Sequence, residues 1–235
     1  MKIVLVAEAS RKIQRFFKLW GLSFSIDDTI LFDTFSNGQV LLRNLKKLSI
    51  NVEGVRHIVL SHEHWDHVGG LDEMLRSCKD IKLYVCKSFS REFKERLKNI
   101  RSIEIIEVNG PIQIAPGVFS SGEISGIYAN KPIAEQCLIV DRGEDLDMLV
   151  GCCHPGVDRM IHRVIEVFEK PIRLLAGGFH LMEKECEEIS HLVNEIEKMK
   201  VKMIMPCHCT GKKAVELFLE RFQDRFITAR VGLEL

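Results

Sequence analysis

The chain has 235 residues, 46% hydrophobic and 28% charged, enough apolar material for a core without disulfide staples. Lys plus Arg and Asp plus Glu number 33 each, a formal net charge of zero. That excludes the basic excess of a dedicated nucleic-acid binder, and no such partner is expected. No apolar run approaches the ~20 residues that cross a bilayer. The run Ile3–Val6 is too short for a signal-peptide core and is soon broken by Glu8, so the chain reads as cytoplasmic with no membrane partner. Its eight cysteines then read as thiols, most of them small buried hydrophobes.

Along the chain, Ile3–Val6, Leu22–Ile26 and Thr29–Phe32 read as strands, with Asp27-Asp28 as a hairpin turn. Ile13, Phe16, Phe17 and Trp20 form a helical apolar stripe, and Val40/Leu41, Leu45 and Leu48 form another after Gly38. His57–Leu60 is a short buried strand that runs into the polar cluster Ser61–Gly70. Leu71, Met74, Leu75 and Cys78 predict a helix, and Ile81–Val85 a strand. Ser88 is placed to cap a helix carrying Phe89, Phe93 and Leu97. Ile103–Val108, Ile112–Ile114 and Cys137–Asp141 continue the strands.

The second half alternates. Strands are predicted at Leu146–Val150, Ile172–Ala176 and Val201–Met205. Helical stripes follow each: Val157 to Phe168, Cys186 to Met199, and Val215 to Phe222. This rhythm calls for an α/β fold with sheet strands covered by helices. Each strand ends in a small-residue turn with a histidine: Gly151-Cys152-Cys153-His154, Gly177-Gly178-Phe179-His180 and Pro206-Cys207-His208-Cys209. Open α/β sheets bind ligands at the carboxyl ends of strands.

The segment Ser61-His62-Glu63-His64-Trp65-Asp66-His67 is denser in ligand atoms than any other. In a loop, His62 and His64 can turn to one ion, and Asp66 and His67 to a second. Imidazole with carboxylate suits zinc, iron or manganese and leaves positions open for water. Gly69-Gly70 lets the backbone turn into the next helix. His57, His162 and His191 have no polar partners in view and read as structural or surface residues. Cys207 and Cys209 read as packing, because strand alternation would point them away from His208.

His-x-His-x-Asp-His after a strand, followed by Gly-Gly-Leu, resembles the metallo-β-lactamase superfamily. That resemblance implies a four-layer αββα sandwich, one domain over residues 1–235 with two similar halves, roughly 1–130 and 131–235. Gly21-Leu22-Ser23-Phe24, Ile30-Leu31-Phe32-Asp33-Thr34, the three histidine turns and Thr210-Gly211 resemble one branch in particular. It is the group of archaeal and bacterial metal-dependent hydrolases that carries the label 7,8-dihydropterin-6-methyl-4-(β-D-ribofuranosyl)aminobenzene 5′-phosphate synthase. The resemblance implies that His62 and His64 bind the first metal, and that Asp66, His67 and His208 bind the second. It also implies that Asp33 supports the ligand loop.

Two departures affect the ligand set. Relatives often carry Gly-His-Thr where this chain has Ser121-Gly122-Glu123-Ile124, and Gly-Asp where it has Gly151-Cys152-Cys153-His154. His154 is the expected replacement ligand, with Cys152 or Glu123 next. One or two divalent ions are expected, zinc first, with iron or manganese as alternatives. The implied activity is hydrolysis of a phosphoryl or acyl centre by a metal-bound hydroxide, the metal lowering the pKa of its water to about 7. Asp66 and His180 are the expected catalytic residues, His180 as proton donor. His180 also reads as a buried, hydrogen-bonded imidazole. Thr210, Gly211 and Lys212 open the last helix and suit a phosphate on a small-molecule substrate; Thr210 also reads as a plain N-cap. Alternatives are a pterin–aminobenzene transferase releasing pyrophosphate, a non-haem iron redox protein, and a non-enzymatic metal sensor.

Overall fold

β1 (Ile3–Ala9) pairs antiparallel with β2 (Gly21–Ile26), which turns through Asp27 and Asp28 into β3 (Ile30–Phe32). Both aspartates have positive φ, 46° and 55°, and the Thr29 N–H closes the turn on Ile26 O at 3.1 Å. β4 (His57–Val59), β5 (Ile81–Cys86) and β6 (Ile103–Val108) add in parallel, so the sheet runs β1-β2-β3-β4-β5-β6. The computed structural model describes residues 1–11, 18–98, 100 and 103–235. The stripe Ile13–Trp20 therefore falls largely outside the described residues; Trp20, at its end, is buried.

Helix α1 (Gly38–Lys47) begins at Asn37, whose side chain accepts the Val40 N–H, and packs Leu41 and Leu45 inward near β1. α2 (Trp65–Val68) is a single turn and α3 (Leu71–Ser77) follows it. α4 (Arg91–Leu97) is capped by Ser90, not Ser88. The Ser90 hydroxyl accepts the Phe93 N–H three residues on, the reach an N-cap needs, and Phe89 lies before the helix. Residues 230–235 return to β1: Leu5 N–H donates to Leu233 O and Leu235 N–H to Ile3 O, which covers a sheet edge.

These elements form one compact unit, Met1–Asn109 with Arg230–Leu235; Gly110–Ala229 forms another. The second holds β7 (Ile112–Ala115), β8 (Val118–Ser120), β9 (Ile124–Tyr128), β10 (Lys131–Glu135), β11 (Leu138–Asp141), β12 (Leu146–Val150), β13 (Ile172–Gly178) and β14 (Met203–Cys207). Its sheet runs β14-β13-β12-β11-β8-β7, with β12 to β14 parallel and the rest antiparallel. β9 and β10 form a separate hairpin. The strands β8, β9 and β10 were not among the sequence expectations. Helices α5 (Val157–Phe168), α6 (Cys186–Lys198) and α7 (Lys212–Phe222) supply Val164, Ile196 and Phe218 to a core with Leu175 and Ile204. Among the described residues, no helix is long and apolar enough to cross a membrane.

Candidate metal centre

In the first unit the histidine–aspartate loop follows β4, and a buried carboxylate organises it. Asp33 Oδ1 accepts the Ser61 N–H at 2.7 Å. Asp33 Oδ2 accepts the Ser61 hydroxyl at 2.7 Å and His67 Nδ1–H at 2.6 Å. These bonds fix protons one after another. Ser61 gives its only hydroxyl proton to Asp33, so its oxygen accepts His62 Nδ1–H, at 2.9 Å. His62 Nε2 is then the acceptor nitrogen of its ring, and His67 turns Nε2 toward Asp66.

His62 Nε2 lies 3.1 Å from His64 Nδ1. Two nitrogens on one tetrahedral zinc, each about 2.0–2.1 Å from the ion, are separated by ~3.3 Å. The pair therefore fits one metal. His67 Nε2 lies 3.5 Å from Asp66 Oδ2, and both residues are buried. Burial alone would lower the His67 pKa; the carboxylates of Asp33 and Asp66 outweigh it and hold the value well above the usual imidazole range. An electron-rich environment that attracts a proton there also attracts a cation. Glu63, between His62 and His64 in sequence, accepts from the Ser90 N–H and hydroxyl instead.

The second unit presents its histidine turns around a carboxylate that sequence reading missed. Glu135, fully buried at the end of β10, accepts the N–H groups of Cys152 at 2.7 Å, Cys153 at 2.9 Å and His154 at 2.9 Å. The turn also places Cys153 at φ 59°. Cys152 Sγ and a His208 ring nitrogen come within 4.8 Å of one another. The Cys209 sulfur lies 3.2 Å from the Cys152 sulfur and accepts the His180 N–H at 3.3 Å. Strand alternation did not foresee this contact, because β14 stops at Cys207 and His208–Thr210 make a 3₁₀ turn with His208 at φ 52°. Close approach is possible because residue 178 is glycine. A Cβ there would stand 2.5 Å from Gly151 O and 2.6 Å from Cys209 Sγ.

All eight cysteines are free thiols. Burial pushes the Cys137 thiol up to about 12, and burial with the Glu135 charge pushes Cys153 well above the usual range. Those two are packing residues. His180 is partly exposed at φ 49°, with its ring 4.6 Å from that of His154. Gly211, at φ 79°, is the N-cap of α7 in place of Thr210. The buried Thr210 hydroxyl donates to Cys207 O and accepts the Phe179 N–H, so it is held inside its own loop. The Lys212 side chain is exposed, 3.6 Å from Glu216. Glu123 is half-buried. His57 Nδ1 meets the Tyr84 hydroxyl at 3.1 Å.

Two mixed sheets flanked by helices, with a histidine–aspartate loop after β4, define an α/β fold of the metallo-β-lactamase type. Residues 25–129 match the sequence pattern of the metallo-β-lactamase superfamily. It has the fold of the superfamily's metal-dependent hydrolases. It is 28% identical, over 92% of its length and 90% of the relative's, to the 7,8-dihydropterin-6-methyl-4-(β-D-ribofuranosyl)-aminobenzene-5′-phosphate synthase of Methanocaldococcus jannaschii. It is also similar to a solved metal-dependent hydrolase of the β-lactamase superfamily: 26% identity, TM-score 0.78, covering 100% of this chain and 98% of the other. The metallo-β-lactamase fold protein YhfI from Bacillus subtilis matches at 14% identity and TM-score 0.71, over 100% of this chain and 98% of that one, a likeness of fold alone.

Proposed function

We propose that this chain hydrolyses a phosphate-bearing small molecule with divalent metal, zinc first among the candidates. In this reading His62, His64, Asp66 and His67 are the metal ligands of the first unit, and His154 and His208 are those of the second. The observation that carries it is the proton chain from Asp33, which fixes the His62 tautomer and turns His67 Nε2 toward Asp66 beside the His62–His64 nitrogen pair. A divalent ion bound there supplies Lewis acidity and a water activated near neutral pH. Asp33 and Ser61 hold the imidazoles in the ligating tautomer, Glu135 holds the turn that carries Cys152 and His154, and His180 delivers a proton to the leaving group. The first amides of α7 and the Lys212 ammonium bind phosphate. His62→Ala and His64→Ala are each expected to lose bound metal while keeping the far-UV circular dichroism of the wild type. Full metal content in both variants would remove the assignment.

The phosphate arm has its own test. A charge-assisted contact is worth about 1.5–3 kcal/mol, roughly tenfold to a hundredfold in affinity. Screening at an exposed lysine favours the lower end. Lys212→Ala is therefore expected to raise the inhibition constant of inorganic phosphate about tenfold at matched ionic strength, with metal content unchanged. Identical constants would leave a metal hydrolase with no phosphate pocket at α7.

A second reading follows from the M. jannaschii relative, which is named as a synthase. The same ligand set would then activate a diphosphate leaving group during pterin–aminobenzene bond formation. Incubation with a pterin diphosphate and an aminobenzene ribofuranosyl phosphate separates the two readings: pyrophosphate release that depends on the second substrate supports the transferase.

A further inference from the structure

Two thiols meet at the carboxyl ends of the second sheet. The sulfurs of Cys152 and Cys209 lie 3.2 Å apart, although the residues are 57 positions apart in the chain. Cys152 follows β12 and Cys209 follows β14, and β13 lies between those strands in the sheet. At the end of β13, a Cβ on Gly178 would stand 2.6 Å from the Cys209 sulfur. Glycine at 178 therefore leaves the space in which the two side chains meet.

Backbone bonds hold both turns. The Cys152 N–H donates to Glu135 at 2.7 Å. The Cys209 carbonyl accepts the Leu181 and Met182 N–H groups at 3.2 and 3.3 Å. The Cys209 sulfur also accepts the His180 N–H at 3.3 Å. Other cysteines are placed differently. Cys78 and Cys86 donate to the carbonyls of Val52 and Ser61, Cys137 and Cys153 belong to the apolar core, and Cys186 is exposed. A disulfide has an S–S distance of about 2.05 Å, so the pair closes by ~1.2 Å of approach.

We propose that Cys152 and Cys209 form a reversible disulfide under peroxide, and that this bond makes metal binding by the second unit sensitive to oxidation. Cys209 keeps 7% of its surface exposed and Cys152 3%, so the oxidant must be small, and hydrogen peroxide meets that need. One sulfur attacks a peroxide oxygen; the O–O bond breaks, and a sulfenic acid and one water form. The second sulfur then displaces the sulfenic oxygen, which leaves with the second thiol proton as another water. Two thiols and one peroxide thus give one disulfide and two waters. The bond ties together the turns of His154, two residues after Cys152, and His208, next to Cys209. The metal consequence rests on the ligand assignment proposed above; the disulfide itself does not.

Metal-free wild type and Cys209→Ser, each treated with equimolar hydrogen peroxide, test this. Peptides digested without reduction and sequenced by fragment ions are expected to show a Cys152–Cys209 bridge in the wild type, removed by tris(carboxyethyl)phosphine. No bridge, or a bridge from either residue to Cys153, Cys186 or Cys207, overturns the proposal. Zinc titration before and after peroxide reads the coupling. The oxidised wild type is expected to bind zinc about tenfold more weakly and to recover on reduction. Cys209→Ser should keep the affinity it had before treatment. An unchanged wild-type affinity, or an equal loss in Cys209→Ser, overturns the coupling. If the reduced wild type binds no zinc, the metal reading fails and the coupling with it, while the peptide map still decides the disulfide.

Discussion

Asp33→Asn is expected to cost about 3–5 kcal/mol of folding stability and to empty the metal sites of the first unit, although Asp33 touches no substrate. The carboxylate takes three donors in a fully buried setting: the Ser61 N–H, the Ser61 hydroxyl and His67 Nδ1–H. An amide offers one acceptor oxygen and turns its NH₂ toward another donor, so a buried polar group loses its partner whichever way the amide is flipped. Backbone strain is not the cause, because Asp33 has φ 59° and asparagine accepts that left-handed conformation. In metal-free protein part of the loss is electrostatic. His67 is buried, and its pKa lies above 6.5 because Asp33 and Asp66 oppose that burial. A raised folded pKa contributes stability that is full below the unfolded imidazole value and fades as pH rises through the folded value. Urea unfolding of the metal-free wild type and variant, with metal analysis of each, measures both effects. Asp72→Asn, at an exposed pair with Arg96, is the control and should stay within about 1 kcal/mol. An Asp33→Asn loss no larger than that control would refute the organising role.

The histidine–aspartate cluster was legible because its chemistry is local. His62, His64, Asp66 and His67 fall within six positions, and few loops concentrate such groups without a cation to offset their desolvation. The alternation of strand and helix in the second half was legible for the same reason, since each apolar stripe is contiguous. Other features depend on contacts that spacing does not encode. Ser88 and Ser90 are both capping residues in sequence, and only the path of the chain decides that Ser90 meets the Phe93 amide. The β9–β10 hairpin turns at Ala129 and Asn130, with φ 48° and 59°. Alanine in that position hides a turn that glycine would have announced. Its strands also alternate poorly, because Ile127 and Tyr128 stay exposed. Glu135 was the deepest omission. Its partners are backbone amides seventeen to nineteen residues away, and backbone donors leave no trace in residue type.

Glu135→Gln is accordingly the sharpest test of the second unit. Glu135 Oε1 accepts from Cys152 and Cys153, and Oε2 from His154. Glutamine keeps one acceptor and sets an NH₂ group against at least one of these N–H donors. Losing charge-assisted bonds at a fully buried carboxylate should cost about 2–3 kcal/mol. The turn that carries Cys152 and His154 would relax with it, since Cys153 holds φ 59° only while its neighbours are anchored. Metal content should therefore fall as far as it does in His154→Ala, where the proposed ligand itself is removed. His162→Ala, on α5, should lose none. The comparison separates positioning from folding: chelator-stripped samples give the stability loss, and zinc titration of the refolded variants gives the site. A Glu135→Gln protein that is destabilised yet binds zinc with wild-type stoichiometry and affinity would make Glu135 a structural anchor only, and His154 would then hold its place by the packing of its own ring against Tyr128 and His180.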